Sequence, residues 1–265
     1  MRTITAFQPI DLLLVLSAFF FSCVDDRFDY PNPQPEECKL TDVIFFNDGV
    51  SSDGSAKQVE YNSQGYVSKV TEVEGIPSEE VSTSNYSYNA NNQLIREDYI
   101  WDSGRITGYK TYTYHPDGTL AQVVNHEDGK SLSYETYTYD TNKRVTEIVE
   151  ANDWRSSKRT FEYIGNSENI SSVTHYDKNE QVVRTTTYED YDDKLNPVYA
   201  AKGMVTVGES RNNHRKEMSV DADGSEEVIH YTYTYNASGF VTEAIENKEG
   251  EAADYKTVFT YHGCD

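Results

Sequence analysis

The sequence predicts an all-β protein: an extended, strongly twisted antiparallel meander of about eight hairpin repeats, coiled or partly closed. Three observations carry that expectation. Hydrophobic residues make up 37% of the 265-residue chain and lean on 22 tyrosines and 10 phenylalanines, residue types that suit a pleated, half-buried surface. Residues alternate with period two, as in Tyr231-Thr232-Tyr233-Thr234-Tyr235, which is the strand period. A phrase also recurs: tyrosine, then Asn or Asp with small polar residues and often Gly, then an apolar residue.

Taken in order, the chain opens with Arg2 and an apolar run from Leu12 to Phe21 that stops at Ser22-Cys23. The run is about half of the ~20 residues a transmembrane helix needs, so residues 1–22 read as a signal peptide. Its end resembles the lipobox of bacterial lipoproteins, which implies that Cys23 is acylated and ties the chain to a membrane. A plain secretory signal with an incidental cysteine is the alternative. Val24-Asp25-Asp26-Arg27-Phe28-Asp29 resembles the acidic export signal of Bacteroidota lipoproteins. That likeness implies the outer face of the outer membrane, with the periplasmic face as the alternative; as bare chemistry the stretch is a solvated acidic tether. Pro31, Pro33 and Pro35 make residues 23–40 a stiff spacer, after which one β-repeat domain is expected over 41–265.

The phrase begins at Tyr61, Tyr88, Tyr114 and Tyr139, more weakly at Tyr163, and again at Tyr235; the first five lie 27, 26, 25 and 24 residues apart. A regular period of this size marks a repeat architecture. Within each unit the Asn/Asp and Gly positions supply the left-handed backbone of a tight turn. A second polar turn, such as Asp102-Ser103-Gly104 or Glu127-Asp128-Gly129, closes the unit. Roughly 16 strands result, more than a twisted open sheet usually holds, so the meander is expected to coil on itself. Tyrosine rings are expected to line a sheet face with their hydroxyls reaching water.

Between Glu189 and Ser225 the repeat lapses into an irregular insertion holding Asn196-Pro197 and a basic cluster of Arg211, His214, Arg215 and Lys216. Loops carried by a rigid sheet concentrate binding residues; the plainer expectation is that these cations pair with neighbouring carboxylates while the segment covers a sheet edge. Asp221 and Asp223 in Asp221-Ala222-Asp223-Gly224 are either half of a calcium loop or an ordinary hairpin turn. The repeat phrase resembles the tyrosine-aspartate (YD, RHS-type) repeat, whose large members form coiled β-sheet shells. Tyr191-Asp192-Asp193-Lys194-Leu195-Asn196-Pro197, then Ser210-Arg211-Asn212-Asn213, then Tyr233 to Phe240, together resemble a family of uncharacterised Bacteroidota lipoproteins over residues 41–265. The resemblance implies compartment and fold and brings no activity.

The formal charge of -22 makes nucleic acid a poor partner, because nothing clusters the Lys and Arg that phosphate contacts need. Cys38 and Cys264 bracket the folded region, either as a clasp between the termini or as two free thiols. No hydrolase, phosphate-loop or dinucleotide motif is present, the six histidines lack metal-ligand spacing, and no cofactor is implied. His115 and His126 fall in predicted turns. The reading is a non-catalytic envelope lipoprotein that binds or scaffolds a glycan, a peptide or an envelope protein. Trp101 and Trp154 are candidate sugar-stacking residues beside Asn196 and the basic cluster. A self-assembling coat component is the alternative, and a carboxylate-dependent hydrolase is the third choice.

Overall fold

In the computed structural model the described residues are 38–46, 55–74, 80–101, 106–152, 156–251 and 254–264. Cys23, Trp154, the expected signal peptide and most of the expected spacer lie outside them. The described chain folds as sixteen antiparallel strands, each paired to the next, from β1 (Lys39–Phe46) and β2 (Ala56–Tyr61) to β15 (Val241–Lys248) and β16 (Asp254–His262). The expected meander is present, but the coiled or partly closed shape is not: β16 pairs with β1 and the sheet closes into a barrel. Closure buries Val43 opposite Phe259 and Leu40 opposite Tyr261 on the inner face, and a closed sheet has no edge left to protect. A disulfide joins Cys38 to Cys264 beside that seam, with Cα atoms 5.0 Å apart. Tying a loop of 226 residues contributes about 5 kcal/mol on the chain-entropy estimate.

The turns show why the recurring phrase is built as it is. The Asn62 side chain accepts from the backbone N–H groups of Gln64 and Tyr66, both at 3.0 Å. Asn89 and Asp140 repeat the arrangement two and four residues on. The left-handed position falls on Gly65, Asn92, Gly118, Lys143 or Gly239, as an Asx-braced turn of this length requires. These turns join β2 to β3 (Val67–Glu74), β4 (Glu80–Tyr88) to β5 (Leu94–Trp101), β6 (Ile106–Tyr114) to β7 (Leu120–Glu127), and β8 (Lys130–Tyr139) to β9 (Val145–Asn152). They therefore gather at one end of the barrel.

At that end the tyrosine opening each phrase does something the sequence alone did not suggest. Except at Tyr235, which bonds Asp192, its hydroxyl, expected in water, donates to the backbone carbonyl of an apolar residue at the start of the strand just before its own. Tyr61 bonds Leu40, Tyr88 bonds Val67, Tyr114 bonds Leu94, Tyr139 bonds Leu120, Tyr163 bonds Val145 and Tyr261 bonds Val241, at 2.6 to 2.9 Å. Each bond ties one repeat to the one before it and is worth about 1 kcal/mol; phenylalanine could fill the same space without making it.

A sixteen-stranded barrel is too wide for wall side chains to fill. The insertion supplies the missing volume. It leaves β12 (Val182–Glu189), runs inward through a single 3-10 turn at Pro197–Ala200, and rejoins the wall at β13 (Lys216–Asp221). Val205 and Val207 pack on the inward Leu120, Val145, Ile148 and Phe161; Ala200, Ala201 and Met204 pack on Val59, Val67 and Phe240. The segment is thus a stopper in the barrel end, not an edge cover. Its irregular part stops at Arg215, because residues 216–221 form β13 within the stretch expected to be irregular.

Inward and outward faces differ in kind. Cross-strand register traces the outward row Glu60, Lys69, Asn85, Asp98, Tyr109 and His126. A second runs Thr113, Gln122, Thr136, Val149, Lys158 and Tyr176. A shorter outward strip, Val258, Ile44, Ala56, Val73 and Val81, is apolar and lies over the seam. Buried apolar residues otherwise collect inside, around the stopper.

Candidate functional site

The candidate site is the inward face of the barrel half away from the stopper. Near the stopper that face carries tyrosine, valine and phenylalanine; further along the strands it becomes polar or charged. Glu97 is 8% exposed and accepts hydrogen bonds from Tyr86 at 3.1 Å and Tyr112 at 2.8 Å, with the Lys110 ammonium 3.9 Å away. Burial first, and this carboxylate second, push the Tyr112 and Tyr86 phenols far above the ordinary tyrosine range. Lys57 pairs with Glu72 at 3.0 Å and Lys248 with Glu227 at 2.9 Å. Glu135, bonded by Tyr137, stands directly opposite Glu150. Glu246 is raised by burial and then by Glu217 and Glu227.

On β10 (Ser156–Tyr163), β11 (Ile170–Tyr176) and β12 the charge changes sign. Arg159 pairs in register with His175, which pairs with Arg184. All three share the inward face with buried Phe161, Val173 and Thr186. Arg184 donates through Nε and Nη2 to the two Asp221 oxygens, at 2.6 and 3.1 Å.

The residues expected to bind are mostly engaged in holding the fold. Asn196 caps the 3-10 turn by accepting from the Val198 N–H at 3.1 Å. Arg211 reaches Glu168 at 3.3 Å, and Lys216 reaches Glu189 at 2.8 Å. His214 sits among the rings of Tyr188, Tyr191 and Tyr231, 3.7 Å from Glu217. Arg215 continues the wall, donating its N–H to Glu189 and accepting from Tyr231. The basic cluster is therefore dispersed over several carboxylates. Asp221 is occupied by Arg184, while Asp223 braces its turn by accepting from Ser225. Among the described residues no three potential ligands gather around a metal position. His126 lies on β7, stacked 4.4 Å from Tyr109 on the outer face, and not in the turn expected for it.

Trp101 pairs with Ser82 on the inward row and is 46% exposed. Inward Tyr255 is 39% exposed, and Glu127, Glu150 and Asn152 are also open to solvent. These exposures mark an open mouth opposite the stopper. A separate cleft of about 190 Å³ lies beside the stopper, lined by Arg144, Tyr163, Tyr199 and Glu209; it is smaller than most ligand pockets.

Neither a protein-family model nor a curated protein matches the chain. Solved structures do match in shape. A porin-like protein from Bacteroides uniformis superposes with a TM-score of 0.57 at 16% identity, over 87% of this chain and 98% of its own. A porin-like protein from Bacteroides vulgatus gives 0.48 at 11% identity over 86% and 100%. A Photorhabdus luminescens Tc holotoxin structure gives 0.36 at 14% identity, over 78% of this chain and 13% of that one. The first likeness shows a shared barrel fold; the other two are too loose to argue from.

The outward face separates shape from setting. A barrel wall in lipid carries an apolar band about 25 Å tall, and a Lys at its midplane costs about 2–4 kcal/mol. Here Lys69, Asp98 and Lys158 occupy mid-strand outward positions, which suits a wall in water.

Proposed function

We propose that this is a non-catalytic cell-envelope module, held to the outer membrane by a lipid on Cys23 with its barrel in water, and that the charged open half of the barrel is its binding surface. The ligand is a glycan, a peptide or an envelope protein. The observation that carries this reading is the distribution of polarity around the stopper. A conduit through a membrane needs an apolar outside and two open ends, whereas this barrel has a charged outside, a charged mouth and one end packed shut by residues 197–207. Such an object is a receptacle. Closure also disfavours assembly through strand edges.

The test uses the full chain with Cys23→Ala. The expected outcome is a folded barrel released from membranes without detergent, unable to make liposomes conductive, and retained by a glycan array or an envelope extract. Insertion into liposomes with measurable conductance would sink the proposal. A carboxylate-dependent hydrolase is the second reading, because Glu135 and Glu150 face each other across adjacent inward positions. Turnover of an envelope polysaccharide by the native chain, lost in Glu150→Gln, would establish it instead.

A further inference from the structure

We propose that the Arg159-His175-Arg184 row is a binding site for a singly charged carboxylate, such as that of a uronic-acid sugar or a peptide C-terminus. The proposal deepens the receptacle reading and rests on it.

The argument begins with charge. In a chain where 45 acidic residues face 23 basic ones, an inward cation should find a carboxylate easily. Lys57, Lys248 and Arg184 each do, at 2.6 to 3.0 Å. Arg159 differs. It lies half-buried on the inner wall, and among the described residues no carboxylate stands within 4.0 Å of it. A guanidinium in that position, with five donors in a fixed fork, suits a carboxylate bound through two parallel hydrogen bonds.

Its neighbours strengthen the case. Directly opposed residues on adjacent strands have Cβ atoms about 4.5–5.5 Å apart, so Arg159 and His175, and His175 and Arg184, are in reach of a single small group. His175 is pushed below the ordinary histidine range by burial and then by Arg159 and Arg184. Asp221 satisfies Arg184 and leaves Arg159 to the lumen.

The surroundings also set the size and charge of the ligand. Glu209 of the stopper feels Arg159 and His214, yet burial holds its carboxyl above the usual range, and it makes no ion pair with Arg159. Glu135 lies across β9, and Tyr137 and Tyr188 feel the Arg159 charge. A polyanion would meet Glu135, Glu150 and Glu209 as repulsion, whereas one carboxylate on a small neutral body can pair with Arg159 beside the His175 ring, Arg184 being held by Asp221. Such a ligand enters from the mouth, past inward positions that include Trp101 and Tyr255.

Calorimetry on the folded chain is the test, with glucuronate, an N-acetylated dipeptide and inorganic phosphate as anionic probes and glucose as the neutral control. Glucuronate or the dipeptide is expected to bind and to shift the His175 imidazole resonances in the unmutated protein, and whichever binds names the source of the carboxylate. Arg159→Gln should weaken that binding at least tenfold, Arg159→Lys should weaken it less, and Lys69→Gln, on the outer face of β3, should leave it unchanged. Equal binding by Arg159→Gln would overturn the anion site; if Trp101→Ala then removed binding, the receptacle reading would stand without it. Preference for phosphate over both carboxylates would overturn the ligand class. No heat and no His175 shift with any anion would overturn the site itself.

Discussion

Single residues show how tightly the stopper is fitted. Gly203 has φ +95°, and a Cβ there would lie 2.8 Å from the Tyr88 hydroxyl oxygen and 2.9 Å from the Tyr66 ring. Neither ring can step aside, because Tyr88 is held on Val67 at 2.6 Å and Tyr66 lies beneath the Lys202 ammonium. Gly203→Ala is therefore expected to lower unfolding stability in urea by about 2–3 kcal/mol, from backbone strain and overpacking together. Gly224→Ala is the control: its φ is +83° but nothing lies within 4 Å, so only the backbone cost of about 1 kcal/mol applies. Equal losses in the two variants would mean that the stopper yields. In the sequence these glycines look alike, since a glycine in an irregular stretch does not reveal what its missing side chain would strike. Asn196 was legible as special, through the proline after it, and its side chain caps the 3-10 turn.

At the level of elements, the hairpins were legible and the stopper was not. Period two and the Asx-Gly phrase are local, so strands β2 to β11 could be read from the residues that make them. The insertion was visible as a lapse, yet its apolar residues, Val198, Ala200, Met204, Val205 and Val207, follow no period that would say which way they point. β13 escaped for a different reason. Its two apolar residues, Met218 and Val220, face outward, while Glu217, Ser219 and Asp221 face inward, where Tyr231, Thr186 and Arg184 satisfy them. The stopper's worth follows from what it covers. Val205, Val207 and Met204 bury side chains worth at most about 1.5–3 kcal/mol each, and half that sum is still a large share of a typical total of 5–15 kcal/mol. Replacing residues 193–212 by a short Gly-Ser turn should leave the far-ultraviolet spectrum strand-like, broaden the thermal transition and bring on dye binding to exposed apolar surface. A sharp transition at the native temperature would show that the wall closes unaided.

For the whole molecule, closure was the illegible step, since alternation and turns read the same in an open meander and in a ring. What decides it is pairing between segments more than two hundred residues apart, Val43 with Phe259 and Ile44 with Val258, and no local signal reports that. Once closed, the ring of tyrosines becomes a collective property that can be titrated. Burial pushes Tyr88, Tyr139, Tyr191 and Tyr199 up to about 12, and Tyr61, Tyr112, Tyr231 and Tyr261 further still. An unfolded tyrosine loses its proton near pH 10. Below that value both states hold their protons and these groups leave stability unchanged by pH. From pH 10 upward the unfolded chain binds fewer protons than the barrel, so stability falls as pH rises toward the folded values. Because many phenols act together, the fall should be steep: absorbance at 295 nm is expected to show most tyrosines ionising in one cooperative step, above about pH 11, together with loss of the far-ultraviolet strand signal. Gradual ionisation centred near pH 10 with the strand signal intact would mean that the hydroxyls are in water after all, and that the repeats are not joined through them.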